Sequence, residues 1–268
     1  GCHRAAPRPP ARTVPHMTDI WTLLRDRRRR LPADPFVTFV DADGTRTELS
    51  ATSLVNAAEK IANLFHDEDH GLVGTARVRL RLPVHWQRST WLAGLWTAGI
   101  EVEPLEAAAK HRPREGDRLD GEESTFTTLD DLAIDGARTG PVGVVSLHPL
   151  GLPVTDPLPW PVFDATVAVR AQPDEYLGPL PRAEDAALAA GGDPFSQEQV
   201  IDLARRSAAA CGLEPGGRLL VDPATNALDA WLAALAVPLV ARSSVLLVAG
   251  EHDLDHLAAQ EHVTAILR

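Results

Sequence analysis

The sequence predicts an α/β fold in which mostly parallel sheets carry helices on both faces. Three observations support this prediction. Strand-like and helix-like segments alternate along the chain, and 44% of its 268 residues are hydrophobic. In addition, residues 142–147 form a continuous apolar run of the kind found in buried parallel strands. The chain is long enough to bury a substantial core.

A β-hairpin is predicted near the beginning of the chain. Two short apolar or β-branched segments within residues 36–48 flank Asp43-Gly44, which supplies the turn. A helix is then predicted from Ser50 to Phe65, because its apolar side chains recur on one helical face. A strand at 78–82 follows this helix.

The middle of the chain contains a second helix and a long loop. The helix is predicted from His85 to Ala98, and Gly99 is expected to end it. The apolar run at 142–147 is interpreted as a buried strand. Five prolines from Pro149 to Pro161 exclude regular structure and predict a long loop.

The last third of the chain alternates most clearly. Ser196 and Gln199 have the spacing of a capping box, so a helix is predicted to begin there and to end at Gly212. The elements expected after it are strands at 218–221, 245–249 and 263–267, a helix at 228–236 that stops before Pro238, and a short helix capped by Asp253.

The predicted domain organisation is a tail followed by one domain. Residues 1–16 contain four prolines and no acidic residue, and are expected to be disordered and not part of the natural protein. Residues 17–268 are expected to form the α/β domain, with possible subdomains at 17–182 and 183–268. The charged stretch from Glu106 to Glu123 is interpreted as a solvated linker.

Composition excludes several classes of function. The formal net charge is −11, from 26 Lys and Arg against 37 Asp and Glu, which argues against binding to nucleic acid. Two cysteines, Cys2 and Cys211, cannot form a disulfide framework, so a reducing, cytoplasmic location is expected. No apolar run approaches 18 residues, so no membrane association through a spanning segment is expected.

Several segments, in order, resemble the N-terminal domain of adenylate-forming (AMP-binding) enzymes, which include acyl-CoA synthetases, peptide-synthetase adenylation domains and luciferases. One of them, Ala98-Gly99 followed by Pro104, is similar to a turn of that family. The chain also resembles a short family of high-G+C bacterial proteins related only to the first part of these enzymes. The segments that carry the resemblance are 45–49, 77–83, 95–105, 213–221, 234–241 and 261–266.

This resemblance implies where ATP phosphates would be held. In the family, a glycine-rich loop with Ser or Thr hydroxyls and a Lys holds them. The corresponding span here, 184–195, contains no threonine and no lysine, and Asp193 would repel a phosphate. The sequence also ends before the positions of the family's adenine pocket, ribose-binding Asp, Mg²⁺-binding Glu and catalytic Lys.

We therefore expect that adenylation activity is lost, that no cofactor is bound, and that the chain is a non-catalytic binding or assembly module. A protein partner or a homodimer is expected, because the chain lacks the part of the enzyme domain that would cover its apolar surface. The alternatives are a protein that still binds an acyl, CoA or nucleotide ligand, and a weak enzyme similar to acyl-CoA synthetases.

One candidate ligand crevice is predicted. His85 and Trp86 follow a predicted parallel strand, where doubly wound sheets open their ligand crevices. Gly191 and Gly192 lie in the span that replaces the phosphate loop and could still turn the chain there. The alternative is structural: His85 caps the helix and Trp86 packs in the core.

The arginines of one predicted strand allow two interpretations. Arg77, Arg79 and Arg81 alternate with apolar residues, so their guanidinium groups are expected to share one face. A central parallel strand is normally apolar on both faces. The strand therefore lies at a sheet edge with solvated or ion-paired arginines, which is favoured, or the arginines line an anion site.

No metal site is predicted. His252 and His256 are four residues apart, but a helix is expected to begin between them, and only His262 could add a third ligand. The acidic turn from His66 to His70 is interpreted as solvated. Cys211 follows three alanines and is expected to be buried and inert.

Overall fold

The computed structural model describes residues 18–105, 123–132, 140–190 and 194–268. The tail at 1–16, most of the charged stretch that begins at Glu106, and the pair Gly191-Gly192 lie outside these ranges. Within the described ranges the longest helices have 14 residues, and none is long and apolar enough to cross a membrane.

The described residues form seven α-helices, one short 3₁₀ helix at Glu68–His70 and twelve strands. The helices are α1 (Ile20–Arg30), α2 (Ala51–Leu64), α3 (Trp86–Thr97), α4 (Ala165–Arg170), α5 (Gln197–Ala210), α6 (Ala227–Val240) and α7 (Leu254–Gln260). The strands are β1 (Pro35–Val40), β2 (Arg46–Ser50), β3 (Arg77–Leu80), β4 (Glu101–Pro104), β5 (Glu123–Thr127), β6 (Val142–Val144), β7 (Phe163–Asp164), β8 (Ala186–Leu188), β9 (Phe195–Ser196), β10 (Arg218–Val221), β11 (Ser244–Val248) and β12 (Ala265–Leu267).

These strands form two sheets, which confirms the predicted fold class. The five-stranded sheet has the order β12-β10-β11-β1-β2, and the seven-stranded sheet has the order β7-β6-β5-β3-β4-β8-β9. All neighbouring strands are parallel except the β1–β2 and β8–β9 pairs. The β1–β2 pair is the predicted hairpin, and it joins the five-stranded sheet because β1 pairs in parallel with β11.

Helix α3 lies between the two sheets. It contacts β1 and β2 of one sheet, β4 of the other, and helices α1, α2 and α6. Every residue from Gln87 to Thr97 is buried. Helix α2 approaches α3 so closely that a Cβ atom on Gly94 would lie 2.5 Å from the Cβ of Ile61, so only glycine fits at this crossing.

Helix α7 covers the other face of the five-stranded sheet. Its Leu257 packs in a second, smaller apolar cluster with side chains from three of the strands. Helices therefore pack on both faces of this sheet, as the sequence predicts. The strand residues of this cluster are Val40, Leu220, Leu246 and Val248.

Helix termini form where the sequence predicts them. Ser196 accepts a hydrogen bond from the Gln199 backbone N–H, and the Gln199 side chain accepts one from the Ser196 N–H, which completes the capping box of α5. Gly212 ends this helix with φ of +69°, a conformation that favours glycine. Asp253 caps α7.

The predicted end of α6 before Pro238 is wrong, because the helix continues to Val240 with this proline inside it. Proline has no N–H to donate to the carbonyl oxygen of Ala234, four residues earlier. The Ser89 hydroxyl of α3 donates to that oxygen instead, at 2.7 Å and in a buried position. A tertiary hydrogen bond thus replaces the missing helical one.

The prediction of an edge position for β3 is also wrong, since β3 pairs with both β4 and β5. Its arginines are ion-paired, as favoured from the sequence. Arg77 lies 3.0 Å from Glu101, and Arg79 lies 3.1 Å from Glu103 on the same neighbouring strand. Glu123 of β5 completes the group, at 3.2 Å from Arg77 and 3.3 Å from Arg79. Carboxylates in register on both sides therefore balance the charges of a central strand.

Other predicted elements differ in extent. The strand expected at 142–147 ends at Val144. The last strand, expected at 263–267, begins at Ala265. Arg81 lies beyond the end of β3 and is fully buried. Glu123 belongs to β5 rather than to a linker. The elements that the sequence analysis missed include β5, β7, β8, β9 and α4. Of these, β5 has a single apolar side chain, and the others have only two to six residues each.

The hydrogen bond between α3 and α6 generates a stability prediction. Replacing Ser89 by alanine leaves the buried Ala234 carbonyl without a partner, so S89A should lower the free energy of unfolding by about 1–3 kcal/mol. Urea denaturation monitored by tryptophan fluorescence measures this change. The control is S207A on α5, whose buried hydroxyl has no partner among the described residues and whose loss should be nearly neutral. Equal effects of the two substitutions would contradict the assigned role of Ser89.

Candidate functional site

A cavity of about 330 Å³ lies at the carboxyl ends of strands in the seven-stranded sheet. Val145 follows β6, Ala165 and Thr166 follow β7, and Trp86 begins the helix after β3; all four line the cavity. Ligands of open parallel sheets bind outside the carboxyl ends of the strands. The position and volume of this cavity are therefore those of a small-molecule site.

Three helices each contribute one face to the cavity. Residues from α2 follow the helical spacing i, i+3, i+4, i+7 and i+8, while α3 and α4 each contribute two adjacent pairs one turn apart. The walls are Ser53, Asn56, Ala57, Lys60 and Ile61 of α2; Trp86, Gln87, Thr90 and Trp91 of α3; Ala165, Thr166, Val169 and Arg170 of α4; and Val145, Leu150 and Gly151.

The cavity floor is mainly apolar but contains two buried polar side chains. Trp91, Ile61 and Val145 are each about 2% exposed. Gln87 is 7% exposed, and its amide nitrogen donates to the Ser146 carbonyl at 3.3 Å. The Thr90 hydroxyl donates to the Gln87 carbonyl oxygen at 2.9 Å. Buried polar groups beside an apolar surface are what fix the orientation of a bound ligand.

Two basic residues lie at the cavity rim. Lys60 pairs with Asp174 at 2.9 Å and donates to the Gln172 carbonyl at 2.7 Å, so its ammonium group is already engaged. Arg170 is exposed, and among the described residues its guanidinium group makes only a long hydrogen bond, 3.5 Å, to the Leu150 carbonyl. No acidic residue lines this cavity within the described part of the chain.

His85 has the structural role that the sequence leaves open. It is the N-cap of α3, where its Nδ1 accepts a hydrogen bond from the Gln87 N–H at 3.2 Å. It is 5% exposed and packs edge-on against Phe39 at 4.6 Å. Burial lowers the pKa of His85 to about 4, although Asp41 and a hydrogen bond to the Leu147 backbone oppose this shift. The imidazole is therefore neutral at pH 7.

The structure brings together only part of the predicted crevice. Trp86 lines the cavity and also packs partly against the core, and its buried indole N–H has no partner among the described residues. Gly191 and Gly192 lie outside the described residues, so their place in a site stays a prediction, as does a ligand role for His85. The sequence analysis missed Lys60 and Arg170. The helical spacing of polar residues on α2 is a signal that could have indicated the first of them.

The remaining candidate residues are separate from the cavity. His252 precedes α7, as predicted, and its Nε2 lies 2.9 Å from the Asp41 carbonyl oxygen. His66 lies 3.1 Å from the Tyr176 hydroxyl, and His70 stacks on Phe163 at 4.3 Å. Within the described residues no three His, Cys, Asp or Glu side chains converge as a metal site would require.

The thiol of Cys211 is half-buried, and not fully buried as expected. Cys211 is the C-cap of α5, and its Sγ lies 3.4 Å from the Ala208 carbonyl oxygen, which it can reach as a weak donor. The residue therefore ends a helix and takes no part in the cavity.

Comparison with known proteins assigns the chain to a family. A Mycobacterium tuberculosis protein, described as a TIGR03089 family protein, is 34% identical to it over 239 residues, which are 88% of this chain and 92% of that relative. The chain belongs to the TIGR03089 family. No family model matches the sequence.

The fold of this TIGR03089 family member is that of the N-terminal part of acyl-CoA synthetases. An acyl-CoA synthetase from Brucella canis superposes with a TM-score of 0.68 at 17% identity, over 93% of this chain and 47% of that one. A Mycobacterium tuberculosis fatty acyl-CoA synthetase gives 0.63 at 14% identity, over 91% and 48%. The peptide synthetase FmoA3 gives 0.65 at 18% identity, over 92% and 25%. The chain thus spans at most about half the length of these enzymes.

The neutral state of His85 generates a pH prediction for the TIGR03089 chain. The pKa of an unfolded histidine is about 6.5, so between pH 6.5 and 4 the unfolded chain binds more protons than the folded one. The contribution of His85 to the free energy of unfolding should therefore decrease as the pH is lowered across this window, by at most about 3 kcal/mol. H85N keeps a capping side chain and should flatten this slope in urea denaturation at several pH values.

The control for this experiment is H148N, which changes an exposed imidazole whose Nδ1 accepts a hydrogen bond from the Leu150 N–H. Asparagine preserves that local contact, so H148N should leave the pH slope as in the parent chain. An unchanged slope in H85N would mean that folding does not lower the pKa of His85.

Proposed function

We propose that the chain is a non-catalytic binding or assembly module built on the adenylate-forming fold, and that it does not activate carboxylic acids with ATP. The observation that carries this proposal is the β8–β9 hairpin. Ala186 pairs with Ser196 and Leu188 with Phe195, and residues 189–194 connect them. The sequence resemblance assigns the ATP-phosphate loop of the family to this connection.

The composition of this connection is unsuited to binding phosphate. It reads Ala-Ala-Gly-Gly-Asp-Pro, and so offers no hydroxyl and no cationic side chain. Pro194 has no N–H to donate, and the Asp193 carboxylate repels a phosphate group. Phosphoryl-transfer enzymes depend almost entirely on positioning and on charge stabilisation of the reacting phosphate. Without these groups, adenylation has no means of stabilising its transition state.

The alternative is a protein that retains a ligand of the acyl, CoA or nucleotide type. The cavity beside Trp86 favours the smallest of these ligands. Its volume of about 330 Å³ is at the lower end of the range for ligand pockets, so an acyl-sized group fits better than a whole nucleotide or CoA. A weak enzyme similar to acyl-CoA synthetases is the least supported alternative, because of the β8–β9 connection.

An assembly role is supported by the exposed apolar side chains. Within the described residues, the four most exposed large apolar side chains all lie between positions 150 and 180. Trp160 is 93% exposed, and the others are Leu150, Leu177 and Leu180. Exposed apolar surface of this kind marks sites of protein–protein contact. We propose a homodimer or a protein partner that covers some of these side chains, in the cytoplasm, in keeping with only two cysteines.

The proposed loss of adenylation has a direct test. The purified chain should exchange no labelled pyrophosphate into ATP above background with any of a panel of short, long and aromatic carboxylic acids. A full-length acyl-CoA synthetase serves as the positive control for the assay. Calorimetry with ATP, AMP and CoA tests the alternative of a retained ligand, since measurable binding of one of them would favour it. Exchange with any acid would overturn the proposal.

The proposed assembly is tested by light scattering. At micromolar concentration the chain should have the mass of a dimer, and W160S should shift it toward the monomer because the largest exposed apolar side chain is lost. The control is V73S, which removes an apolar side chain that is 56% exposed outside this region. A strictly monomeric parent chain would contradict the homodimer.

A further inference from the structure

The three-helix cavity described above differs from the β8–β9 connection in both chemistry and residues. Its walls come from α2, α3, α4 and the segment after β6, and no wall residue belongs to β8 or β9. Its floor is part of the rigid core, since Thr90 and Trp91 are at most 2% exposed and lie on the fully buried length of α3. A preformed floor lowers the entropic cost of binding a ligand.

The floor suits a flat or branched apolar group. Trp86 and Trp91 contribute aromatic surface from α3, and Ile61, Val145 and Val169 contribute aliphatic surface from three other segments. A water molecule occupies about 30 Å³ of liquid, so a volume of 330 Å³ corresponds to about ten to fifteen non-hydrogen ligand atoms. This is the size of a bicyclic aromatic or a short branched chain.

The rim determines the charge of the ligand. The charge of Lys60 is balanced by Asp174. The Arg170 guanidinium makes no ion pair within the described residues, and no carboxylate lines the cavity. In a chain of net charge −11, this leaves one cationic group with spare donors at the mouth of an apolar cavity. An arginine in this setting favours an anionic group, which it binds through charge-assisted hydrogen bonds.

A polar group inside the cavity has unused hydrogen-bonding capacity. The Gln87 amide is more than nine-tenths buried and has two N–H donors, of which one is used in a long contact with the Ser146 carbonyl. The second N–H of the Gln87 amide is therefore available to an acceptor on a ligand in the cavity.

We propose that this cavity binds a small amphipathic anion, with its apolar body against Trp86 and Trp91 and its anionic group at Arg170. The inference rests on the proposed binding role and names the class of ligand. The Gln87 amide, which has an unused N–H donor, orients any further acceptor on the ligand body. Residues 85, 191 and 192 of the sequence-predicted crevice are not needed for this site.

The experiment uses 1-naphthoate as the anionic probe and 1-naphthamide as its neutral counterpart of similar shape. Isothermal titration calorimetry of the full chain should detect 1-naphthoate binding at one site, at least tenfold tighter than 1-naphthamide. R170Q should weaken 1-naphthoate binding about tenfold and leave 1-naphthamide unchanged, since only the anion uses the guanidinium group. The control R182Q changes an exposed arginine outside the cavity and should alter neither affinity.

A second variant tests the position of the apolar body. Ala57 is half-buried on α2 and lines the cavity, so A57F fills the space and should abolish binding of both probes. The control V167F enlarges an exposed side chain of α4 that does not line the cavity, and it should bind both probes as the parent chain does. Thermal melting of each variant establishes that it is folded.

The proposal is overturned if 1-naphthoate does not bind, if 1-naphthamide binds equally well, or if R170Q or a folded A57F binds 1-naphthoate as the parent does. These outcomes are independent of the pyrophosphate-exchange assay. Exchange activity would refute the loss of adenylation and leave the cavity result intact, whereas failure of the naphthoate experiment would leave the loss of adenylation standing.

Discussion

Helix α3 is enclosed on all sides, and every polar group along it therefore needs a partner inside the protein. Ser89 donates to the Ala234 carbonyl that the proline of α6 leaves free. The Trp96 indole N–H donates to the Ala187 carbonyl of β8 at 2.7 Å, and the Trp96 carbonyl accepts from the Gln197 side chain at 2.7 Å. Gln197 in turn accepts from the Ile20 N–H at 2.9 Å, so one buried helix links α1, α5, α6 and the seven-stranded sheet. Each of these bonds would be costly to lose because no water can replace the partner.

The N-terminal end of α3 is where this enclosure opens to a cavity. His85 caps the helix and Trp86 begins it, so both are placed by the helix terminus, while the next turn contributes Gln87 and Thr90. The core that immobilises the rest of α3 thereby holds these side chains in position, which is what a binding site needs from its scaffold. The stability of the fold and the proposed ligand site thus depend on the same helix.

Signals within a few residues were sufficient to predict most elements. Features that depend on contacts between residues far apart in sequence could not be predicted. The capping box at Ser196, the turn at Asp43-Gly44 and the glycine at 212 are determined within a few residues, and all form as predicted. Pro238 normally ends a helix, and it is tolerated because Ser89, far away in sequence, satisfies the freed carbonyl. The central position of β3 could not be deduced either, since it depends on carboxylates brought into register from two other strands. Of the residues that line the cavity, the sequence analysis named Trp86 but not Arg170, because α4 has six residues and too short a pattern to detect.

One of the segments that resemble acyl-CoA synthetases includes the C-terminal end of α3 and makes buried contacts there. The segment 95–105, which resembles that family, contains Trp96, and the Leu105 N–H donates to the Leu80 carbonyl on the neighbouring strand. Gly99 has a φ of +71°, and a Cβ there would lie 3.2 Å from the Asp185 carboxylate. These residues are needed for packing whatever the chain does, because replacing them would disturb the seven-stranded sheet. In the β8–β9 connection the Ala189 N–H donates to the Val102 carbonyl of β4 at 2.8 Å, and residues 191–193 lie outside the described ranges. A shared fold of this kind therefore indicates the scaffold, and the function must be argued from the cavity and from the connection.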